Sequence, residues 1–485
     1  MSIGKLLIAV IIASVLVLSA APILVGLGVV PSRVLARYLP FGGSGGLATR
    51  IAPIRTALIG LAVIAWLLVM IAAPWWAMAS FLAMLIAWMA LTRTGRQASS
   101  VARVGIATLR QRLVASSVIV VGIAGVVGVL VALLAMAAGF EATLRQTGSD
   151  DTAIVLRAGA QTETNSIIDH DSAQIVAEAP QVLKDAHGQP IASPELVVVA
   201  SLPKRSTGTD ANVELRGVGE RAWDLHRNVH IIAGRAFRPG LRELIAGKSA
   251  HDQFKGLDVG SSLKLGGQLW TIVGIFDSAD SHDSELWGDE AIAGATYRRG
   301  SNTNSVVVRL TDAGAFDAFK AQLASDPRLH VDVLTTRAYY SQQSESTSRE
   351  IRILGTTIAV IMAIGAVFGA LNTMYAAVAA RAREIATLRA IGFRGTPVIV
   401  SVMLETMLLA LAGGVLGAVL SWAFFDGYTA ATLGASFSQV VFSFNVSPTL
   451  MWNGLKWALA IGFVGGLFPA LQAARTPVTR GLREL

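Results

Sequence analysis

The stretch LVASSVIVVGIAGVVGVLVALLAMAAG, residues 113–139, decides the fold class because it carries no charge and is long enough to cross a bilayer. Six further apolar runs lie at residues 6–30, 56–71, 74–91, 353–380, 396–425 and 457–474. The chain is 53% hydrophobic and only 15% charged, too apolar for an ordinary soluble protein of 485 residues. We therefore predict an α-helical membrane protein with about seven transmembrane helices.

The placement of lysine and arginine orients these helices, because basic residues collect on the cytoplasmic side of short loops. Most acidic residues, 28 of 32, lie between residues 141 and 350, so the rest of the chain is strongly basic. Three arginine clusters share one side if the helices alternate: Arg93, Arg96, Arg103, Arg110 and Arg112; Arg381, Arg383, Arg389 and Arg394; Arg475, Arg480 and Arg483. We expect that side to be cytoplasmic, with the insert and the amino terminus outside and the carboxyl terminus inside.

The first apolar run has a second interpretation, as a signal peptide with Lys5 before it and Ser19-Ala20-Ala21 as a cleavage site. The run continues to Val30, which favours a spanning helix. The chain contains no cysteine, so disulfides and cysteine-ligated metals are excluded.

The insert is large enough to bury its own core, and its short β-branched runs predict a mixed α/β domain. Strands are predicted at residues 153–156 and 196–200, and a hairpin at residues 263–276 turns at Gly266-Gly267. Residues 305–310, 313–323 and 329–334 then predict strand, amphipathic helix and strand, a βαβ unit. Residues 339–352 are polar and free of Gly and Pro, which predicts a helical stalk leading into the next membrane helix.

The strongest local signal is the segment NTMYAAVAARAREIATLRAIG, residues 372–392. Helical spacing predicts two faces after residue 380. The apolar side chains near one face are Ile385, Leu388 and Ile391. The charged side chains that point away from it are Arg381, Glu384 and Arg389. With Gly392 as a natural stop, we interpret the segment as a short helix that a soluble partner grips; the alternative is a basic loop that only enforces topology.

This segment, with the core EIATLRAIG at residues 384–392, resembles the signature of MacB/FtsX-type ABC transporter permeases, the family that includes the lipoprotein-releasing LolC and LolE subunits. The resemblance continues on both sides and covers roughly residues 101–485. The matching stretches are ATLRQRL at residues 107–113, residues 233–235 and 260–274 of the insert, Glu405 with the glycines at 413–417, and FPALQAARTPV at residues 468–478.

The resemblance implies a four-helix permease core with one domain inserted after its first helix. The implied organisation is three extra transmembrane helices in residues 1–92, a cytoplasmic amphipathic entry and the first core helix in residues 93–140, an extracytoplasmic α/β domain with its stalk in residues 141–350, and three core helices in residues 351–485. The coupling helix would occupy residues 381–392.

The resemblance also implies two permeases, identical or related, with two ABC ATPase subunits docked on the coupling helix. ATP and Mg²⁺ would then bind the ATPase, so we expect no cofactor, metal or catalytic residue in this chain. The implied docking residues are Arg381, Arg383, Glu384, Leu388, Arg389 and Gly392. Membrane lipid and an extracytoplasmic protein are further expected partners, and nucleic acid is not. The sequence Gly247-Lys248-Ser249 is no phosphate loop, because Arg242 stands where a glycine is required.

Two other features of the membrane helices are candidates for function. Glu405 is an ionisable residue inside a predicted span, which is a functional hypothesis by default, and a structural pairing with Arg394 is the alternative. Two pairs of small residues predict close helix packing: Gly413 with Gly417, and Gly462 with Gly466.

Two clusters in the insert have ordinary interpretations. An acidic stretch fits no EF-hand spacing and is expected to be a solvated surface loop. Its members are Asp277, Asp280, His282, Asp283, Glu285, Asp289 and Glu290. His226 and His230 lie four residues apart, but their surroundings predict a strand and no nearby carboxylate completes a zinc site.

We therefore expect a permease subunit in a bacterial inner membrane that couples ATP hydrolysis on a partner to movement of the extracytoplasmic domain. Its expected work is export, or extraction, of a lipophilic or lipoprotein-type substrate. The alternative is an FtsX-like regulator that activates an extracytoplasmic cell-wall hydrolase without transport. A stand-alone receptor or structural protein is a third hypothesis, which requires the coupling segment to be coincidental.

Overall fold

The computed structural model describes residue 71 and residues 73–434 and 438–476, which fall into two compact units. Of the described residues, the membrane unit draws on residues 71, 73–132, 355–424 and 446–476, and the outer unit on residues 133–354, 425–434 and 438–445. The predicted runs at residues 6–30 and 56–71 lie outside the described residues, apart from residue 71, and so do Arg480 and Arg483.

Long helices dominate the membrane unit, and strands with short helices dominate the outer unit. The helices are α1 (Trp75–Leu91), α2 (Arg93–Thr108), α3 (Leu113–Thr147), α4 (His170–Ala177), α5 (Ala222–Leu225), α6 (Lys248–Gln253), α7 (Glu290–Thr296), α8 (Phe316–Ser325), α9 (Thr336–Ala380), α10 (Ala382–Ala390), α11 (Gly395–Phe425) and α12 (Pro448–Arg475). The strands are β1 (Thr152–Arg157), β2 (Ala192–Pro203), β3 (Asp210–Val218), β4 (His230–Gly234), β5 (Glu243–Gly247), β6 (Ser262–Leu265), β7 (Gln268–Asp277), β8 (Glu285–Asp289), β9 (Ser305–Arg309), β10 (Val331–Thr335), β11 (Thr429–Leu433) and β12 (Gln439–Ser443).

Within the described residues, four helices are long and apolar enough to cross a membrane: α3, α9, α11 and α12. The helices α1 and α2 meet at 101° and would add a fifth span if they count as one bent segment. The break lies at Thr92, whose side chain caps α2 by accepting from the Gly95 N–H at 2.9 Å. The protein is thus an α-helical membrane protein with a large α/β unit, while the number of seven spans stays a prediction.

The pair Gly413 and Gly417 on α11 lies against α3. A Cβ atom on Gly413 would lie 2.8 Å from the carbonyl oxygen of Val120, and one on Gly417 would lie 2.5 Å from that of Ala124. No side-chain atom fits at such distances, so the absence of a side chain on α11 lets the two backbones approach closely.

The pair Gly462 and Gly466 on α12 lies against α11. A Cβ atom on Gly462 would collide with the Cβ of Ala410, and one on Gly466 would lie 2.6 Å from the Thr406 hydroxyl oxygen. Both pairs of small residues therefore stand where helices of the membrane unit are in contact.

The outer unit is built on a ten-stranded mixed sheet in the order β10-β1-β9-β2-β3-β8-β5-β7-β4, with β6 paired to β7. The pairs β3 with β8 and β5 with β7 are parallel, and the other pairs are antiparallel. The predicted strands at residues 153–156 and 196–200 are parts of β1 and β2. The predicted hairpin is β6–β7, and both glycines of its turn have positive φ, at 57° and 79°.

The predicted βαβ unit is confirmed as β9, α8 and β10, with one addition. The first strand, β1, lies between β9 and β10 and pairs antiparallel with both. Helix α8 buries Phe319 and Leu323 in the same core as Val155 of β1 and Val306 of β9. The central strand of the unit therefore comes from a part of the chain about 150 residues earlier, which no local pattern reveals.

The predicted helix over residues 339–352 is confirmed as part of α9, which continues for 45 residues from Thr336 without a break, while its role as a stalk stays a prediction. A hairpin of β11 and β12, between α11 and α12, is an element that the sequence analysis did not foresee. This hairpin belongs to the outer unit, where the ring of Phe442 lies edge-on against Phe140 at a centroid distance of 5.5 Å.

Candidate coupling site

Helix α10 is a two-turn helix between the apolar helices α9 and α11. Its carboxyl end is capped by the Phe393 N–H, which donates to the Leu388 carbonyl at 3.1 Å. Gly392 between them has a φ of +101°, in the left-handed region that favours glycine. The predicted helix stop at Gly392 is confirmed, and a larger residue there would be strained.

The buried face of α10 differs from the predicted one. Ile385 and Ala386 are buried and Leu388 is half-buried. Ile391 is 70% exposed, so its predicted place on the apolar face is wrong. The reason is that the helix ends at Ala390, so helical spacing no longer fixes the direction of the Ile391 side chain.

The exposed face of α10 carries charges of both signs. Arg383 is exposed, and the side chain of Glu384 keeps 55% of its surface in solvent. An exposed, oppositely charged pair on a short helix suits a docking surface, because such groups set register and partner choice more than affinity.

Arg381 is buried, with 6% of its surface exposed, and the prediction that it points away from the apolar face is wrong. Its Nη1 donates to Glu405 Oε2 at 3.1 Å, and its Nε donates to Glu384 Oε2 at 3.2 Å. Arg381 precedes the first residue of α10, with φ at −107°, so the helical spacing does not apply to it. The predicted pairing of Glu405 with Arg394 is replaced by the Arg381 pair, and Arg394 is exposed.

The amphipathic helix α2 covers this ion pair. A Cβ atom on Gly105 would lie 3.2 Å from Ser401 Oγ, 3.3 Å from Arg381 Nη1 and 3.5 Å from Glu405 Oε2. The sequence analysis did not assign Gly105 or Ser401 to the site. A signal was present in α2, since its buried small residues Ala98, Ala102 and Gly105 recur at helical spacing.

Two further arginines hold the ends of neighbouring helices. Arg389, a predicted docking residue, is half-buried and donates from Nη1 to the Thr476 carbonyl beyond the end of α12. Arg112 donates from Nη1 to the Ala377 carbonyl of α9 at 3.0 Å. Cations at the carbonyl ends of helices are favourable, so these contacts fasten α9 and α12 in place.

A shallow open groove lies between α9 and α12. It is lined by Asn372, Tyr375, Ala376 and Ala379 of α9 and by Gln472 of α12, so its surface is polar and partly aromatic.

The Arg381–Glu405 ion pair holds α10 against α11. A buried ion pair contributes little net stability, but removing one partner costs about 3–5 kcal/mol, so the pair fixes one arrangement of α10 on α11. The exposed Glu384 is bonded to Arg381 directly and is linked to Glu405 through it. The docking role of these residues stays a prediction.

The outer unit holds a second buried ionic cluster that the sequence analysis missed. The guanidinium of Arg216 on β3 is bonded to four carboxylates. The shortest distances are 2.9 Å to Glu163, 2.8 Å to Glu195, 3.2 Å to Glu214 and 2.8 Å to Glu285. We call this set, with Arg216, the Arg216 cluster.

The acidic stretch at residues 277–290 contributes to this cluster, and its interpretation as a solvated loop is wrong. Asp280, His282, Asp283 and Glu285 are buried. Asp280 caps a 3₁₀ turn at Ser281–Ser284, and Glu285 begins β8 inside the sheet. The acidic residues themselves are evident in the sequence, but the partners of Glu285 lie on distant strands and leave no trace in the local sequence.

The two histidines at 226 and 230 separate in the fold. His230 lies exposed on the edge strand β4, which confirms the predicted strand. His226 Nε2 lies 3.0 Å from Glu195 Oε1, so its partner comes from β2 rather than from its own loop.

Comparison with known proteins finds two family models along the chain. The MacB-like periplasmic core domain matches residues 116–326, and the FtsX-like permease C-terminal model matches residues 356–478. The two matches follow one another without overlap. The first covers most of α3 and the inserted domain as far as α8, and the second covers the membrane part of α9 together with α10, α11 and α12.

The chain is similar to curated proteins named macrolide export ATP-binding/permease protein MacB. The one from Paracoccus denitrificans is 23% identical over 333 residues, covering 64% of this chain and 47% of that protein. The one from Photorhabdus laumondii is 29% identical over 236 residues, covering 47% of this chain and 35% of that protein. The chain spans about half the length of the curated relatives it matches, or less. The crystal structure of the periplasmic region of MacB from Actinobacillus actinomycetemcomitans aligns with 40% of this chain and 92% of that one, at 13% identity and a TM-score of 0.31.

Proposed function

Because this chain belongs to the MacB/FtsX-type family of ABC transporter permeases, we propose that it is a permease subunit which turns ATP hydrolysis on a partner into motion of its outer unit. ATP and Mg²⁺ are bound by the ATPase in this proposal. The permease works as a homodimer or heterodimer in a bacterial inner membrane, with its carboxyl terminus in the cytoplasm.

The observation that carries the proposal is the construction of α10. Its exposed Arg383 and Glu384 face solvent, while the neighbouring Arg381 is locked to Glu405 inside the membrane unit. A partner that pulls on the exposed face therefore moves α11 and α9 with it, because the ion pair and the Gly392 stop leave α10 little freedom of its own.

The path toward the outer unit is α9. This helix leads from the α10 boundary at Ala380 back to Thr336, at the end of β10, without a kink-forming proline. A continuous helix transmits displacement along its axis, so closure of an ATPase pair at α10 would move the sheet to which β10 belongs.

The proposed substrate class is supported by the family and by the membrane setting. MacB proteins are named for macrolide export, and an outer unit driven from the cytoplasm suits export or extraction of a lipophilic or lipoprotein-type substrate. The competing function is that of an FtsX-like regulator, in which the same stroke activates an extracytoplasmic cell-wall hydrolase. The co-purifying molecules separate these two functions.

The test is affinity purification of the full chain from lipid nanodiscs, with mass spectrometry and an ATPase assay. The variants are Glu384→Arg and Arg383→Glu, which reverse charge on the exposed face. The matched control is Glu350→Arg, the same charge change at an exposed position of the outer unit. We expect wild type and the control to retain an ABC ATPase and both α10 variants to lose at least about nine-tenths of it, in line with the loss of a charge pair at an interface.

Retention of the ATPase by both α10 variants would contradict the docking assignment, and its absence from wild type would contradict the proposed function. Lipoprotein or lipophilic molecules in the wild-type sample would support transport, and a hydrolase would support regulation.

A further inference from the structure

The Arg216 cluster lies where four parts of the outer unit meet. Arg216 is bonded to carboxylates from β2, β3, β8 and the turn after β1. The side chains of Tyr339 and Tyr340, at the start of α9, are buried beside it, and the Tyr339 hydroxyl accepts from the Glu163 N–H at 3.0 Å. The cluster therefore joins the sheet to the stalk.

Charge is unevenly balanced in this cluster. Four carboxylates surround one guanidinium, and the two nearby imidazoles add positive charge only when they are protonated. His226 bonds Glu195, and His282 Nδ1 lies 3.1 Å from Glu285 Oε1. Arg216, with one charge, cannot neutralise all four carboxylates, so one of them is the least favourable to ionise.

The hairpin of β11 and β12 closes this cluster from one side. Ser438 Oγ donates to Glu214 Oε2 at 2.9 Å, and the Val441 N–H donates to Ser284 Oγ at 2.9 Å. A cavity of about 30 Å³ remains between the hairpin and the cluster. The hairpin lines it with Ser438 and Val440, and the cluster lines it with Glu163, Glu214, Arg216 and Glu285. If the hairpin moved away, Glu214 would face solvent.

We propose that this hairpin and Glu214 form a proton-sensitive clasp, in which the hairpin stays docked on the sheet while Glu214 is neutral and loosens when Glu214 ionises. The proposal goes beyond the proposed function, because it concerns a contact inside the outer unit and needs no ATPase.

The charged and titratable groups around Glu214 come from several elements. Arg216 lies on β3, the same strand as Glu214. Glu285 lies on β8, and Glu163 lies in the turn after β1. Glu195 also bonds Arg216, and the next layer is formed by His226, His282, Tyr339 and Tyr340. Burial and the charge of Glu285 raise the pKa of Glu214 to about 7, against the attraction of Arg216.

The direction of the effect follows from linkage. Docking buries Glu214 and raises its pKa above the solvated value of 4.5, so the docked hairpin binds the proton more tightly than the open one. Docking is therefore strongest below about pH 4.5 and weakens as the pH rises toward about 7. The difference between the pKa of Glu214 in the docked state, about 7, and in solvent, 4.5, limits the change in the docking equilibrium to about 300-fold.

The experiment is hydrogen exchange of the full-length protein in nanodiscs between pH 4.5 and 8.5, with exchange times scaled to the intrinsic rate at each pH. The reporter is the peptide that contains Val441, whose amide is bonded across the clasp. The reference is the peptide of α4, whose buried Ala173 and Val176 lie in a core that contains no hairpin residue. We expect the protection factor of the hairpin to fall at least about tenfold across this range, while that of α4 changes much less.

Two variants assign the proton. Glu214→Gln keeps the hydrogen bond to Ser438 but cannot ionise, so we expect its hairpin protection to be high and independent of pH. Asp317→Asn removes an exposed carboxylate on α8 and should behave as wild type. Ser438→Ala removes a bond that favours the charged form, so its loss of protection should extend to higher pH; this variant also serves if Glu214→Gln fails to fold.

Equal loss of protection in the hairpin and in α4 would overturn the clasp, because the whole unit would then be responding. A flat wild-type profile, or a Glu214→Gln profile with the wild-type slope, would overturn it as well.

Discussion

Replacing Arg216 with methionine should destabilise the outer unit far more than removal of a surface arginine. Arg216 is 2% exposed, and its Nε, Nη1 and Nη2 atoms all donate to carboxylates. The variant Arg216→Met therefore leaves several buried carboxylates without a cation. Breaking a buried pair by removing one partner costs about 3–5 kcal/mol, and with four carboxylates involved we expect the upper end, about 5 kcal/mol.

The assay is hydrogen exchange in the full-length protein, because the amides of β3 and β8 report local opening free energies. The matched control is Arg349→Met, which removes one partner of an ion pair with 67% and 65% exposed side chains and should change stability by less than about 1 kcal/mol. The defect of Arg216→Met should shrink at pH 5.5, because the freed carboxylates then take up protons. An effect no larger than that of Arg349→Met would refute the reasoning.

Three further predictions concern single sites. Gly462→Val should lower the melting temperature of the purified protein, since overpacking costs about 1–3 kcal/mol, whereas Gly125→Val, where a Cβ meets nothing within 4 Å, should have little effect. Burial lowers the pKa of His282, but the charges of Glu285 and Asp280 outweigh it and raise that pKa to about 9. The denaturant midpoint of the outer unit should therefore fall as the pH rises from about 6.5 to about 9, and it should fall much less over that range in His282→Gln. Arg381→Met and Glu405→Met should each lower the melting temperature more than the double variant does, because each single change leaves a buried charge alone; equal or additive effects would contradict the pairing.

Elements set by local pattern were predicted well. The charge-free run at 113–139 lies in α3, and the polar stretch at 339–352 continues into α9 as one helix. Alternating apolar residues and the Gly266-Gly267 turn likewise fix β6 and β7. Periodicity and turn chemistry act over a few residues, so they can be recognised in the sequence.

Features that depend on distant residues were not predicted. The insertion of β1 between β9 and β10 brings together strands about 150 residues apart in the chain. The β11–β12 hairpin is positioned by its contacts with the rest of the outer unit. Arg381 was placed by helical spacing although it lies outside the helix. The local sequence hides the Arg216 cluster, because Glu214 and Arg216 fall on the polar face of an alternating strand, where charges are normally expected to face solvent.

The most direct test of the central claim is a distance measurement between the two units during ATP use. Spin labels at Ser100→Cys in α2 and Asp317→Cys in α8 are specific because the chain has no cysteine, and both positions are exposed. When the ATPase and ATP are added, we expect the interlabel distance to shift in wild type and in Glu350→Arg. Glu384→Arg, which does not retain the ATPase, should keep the nucleotide-free distance. An ATPase-active wild-type complex whose distance is the same with and without ATP would contradict the account.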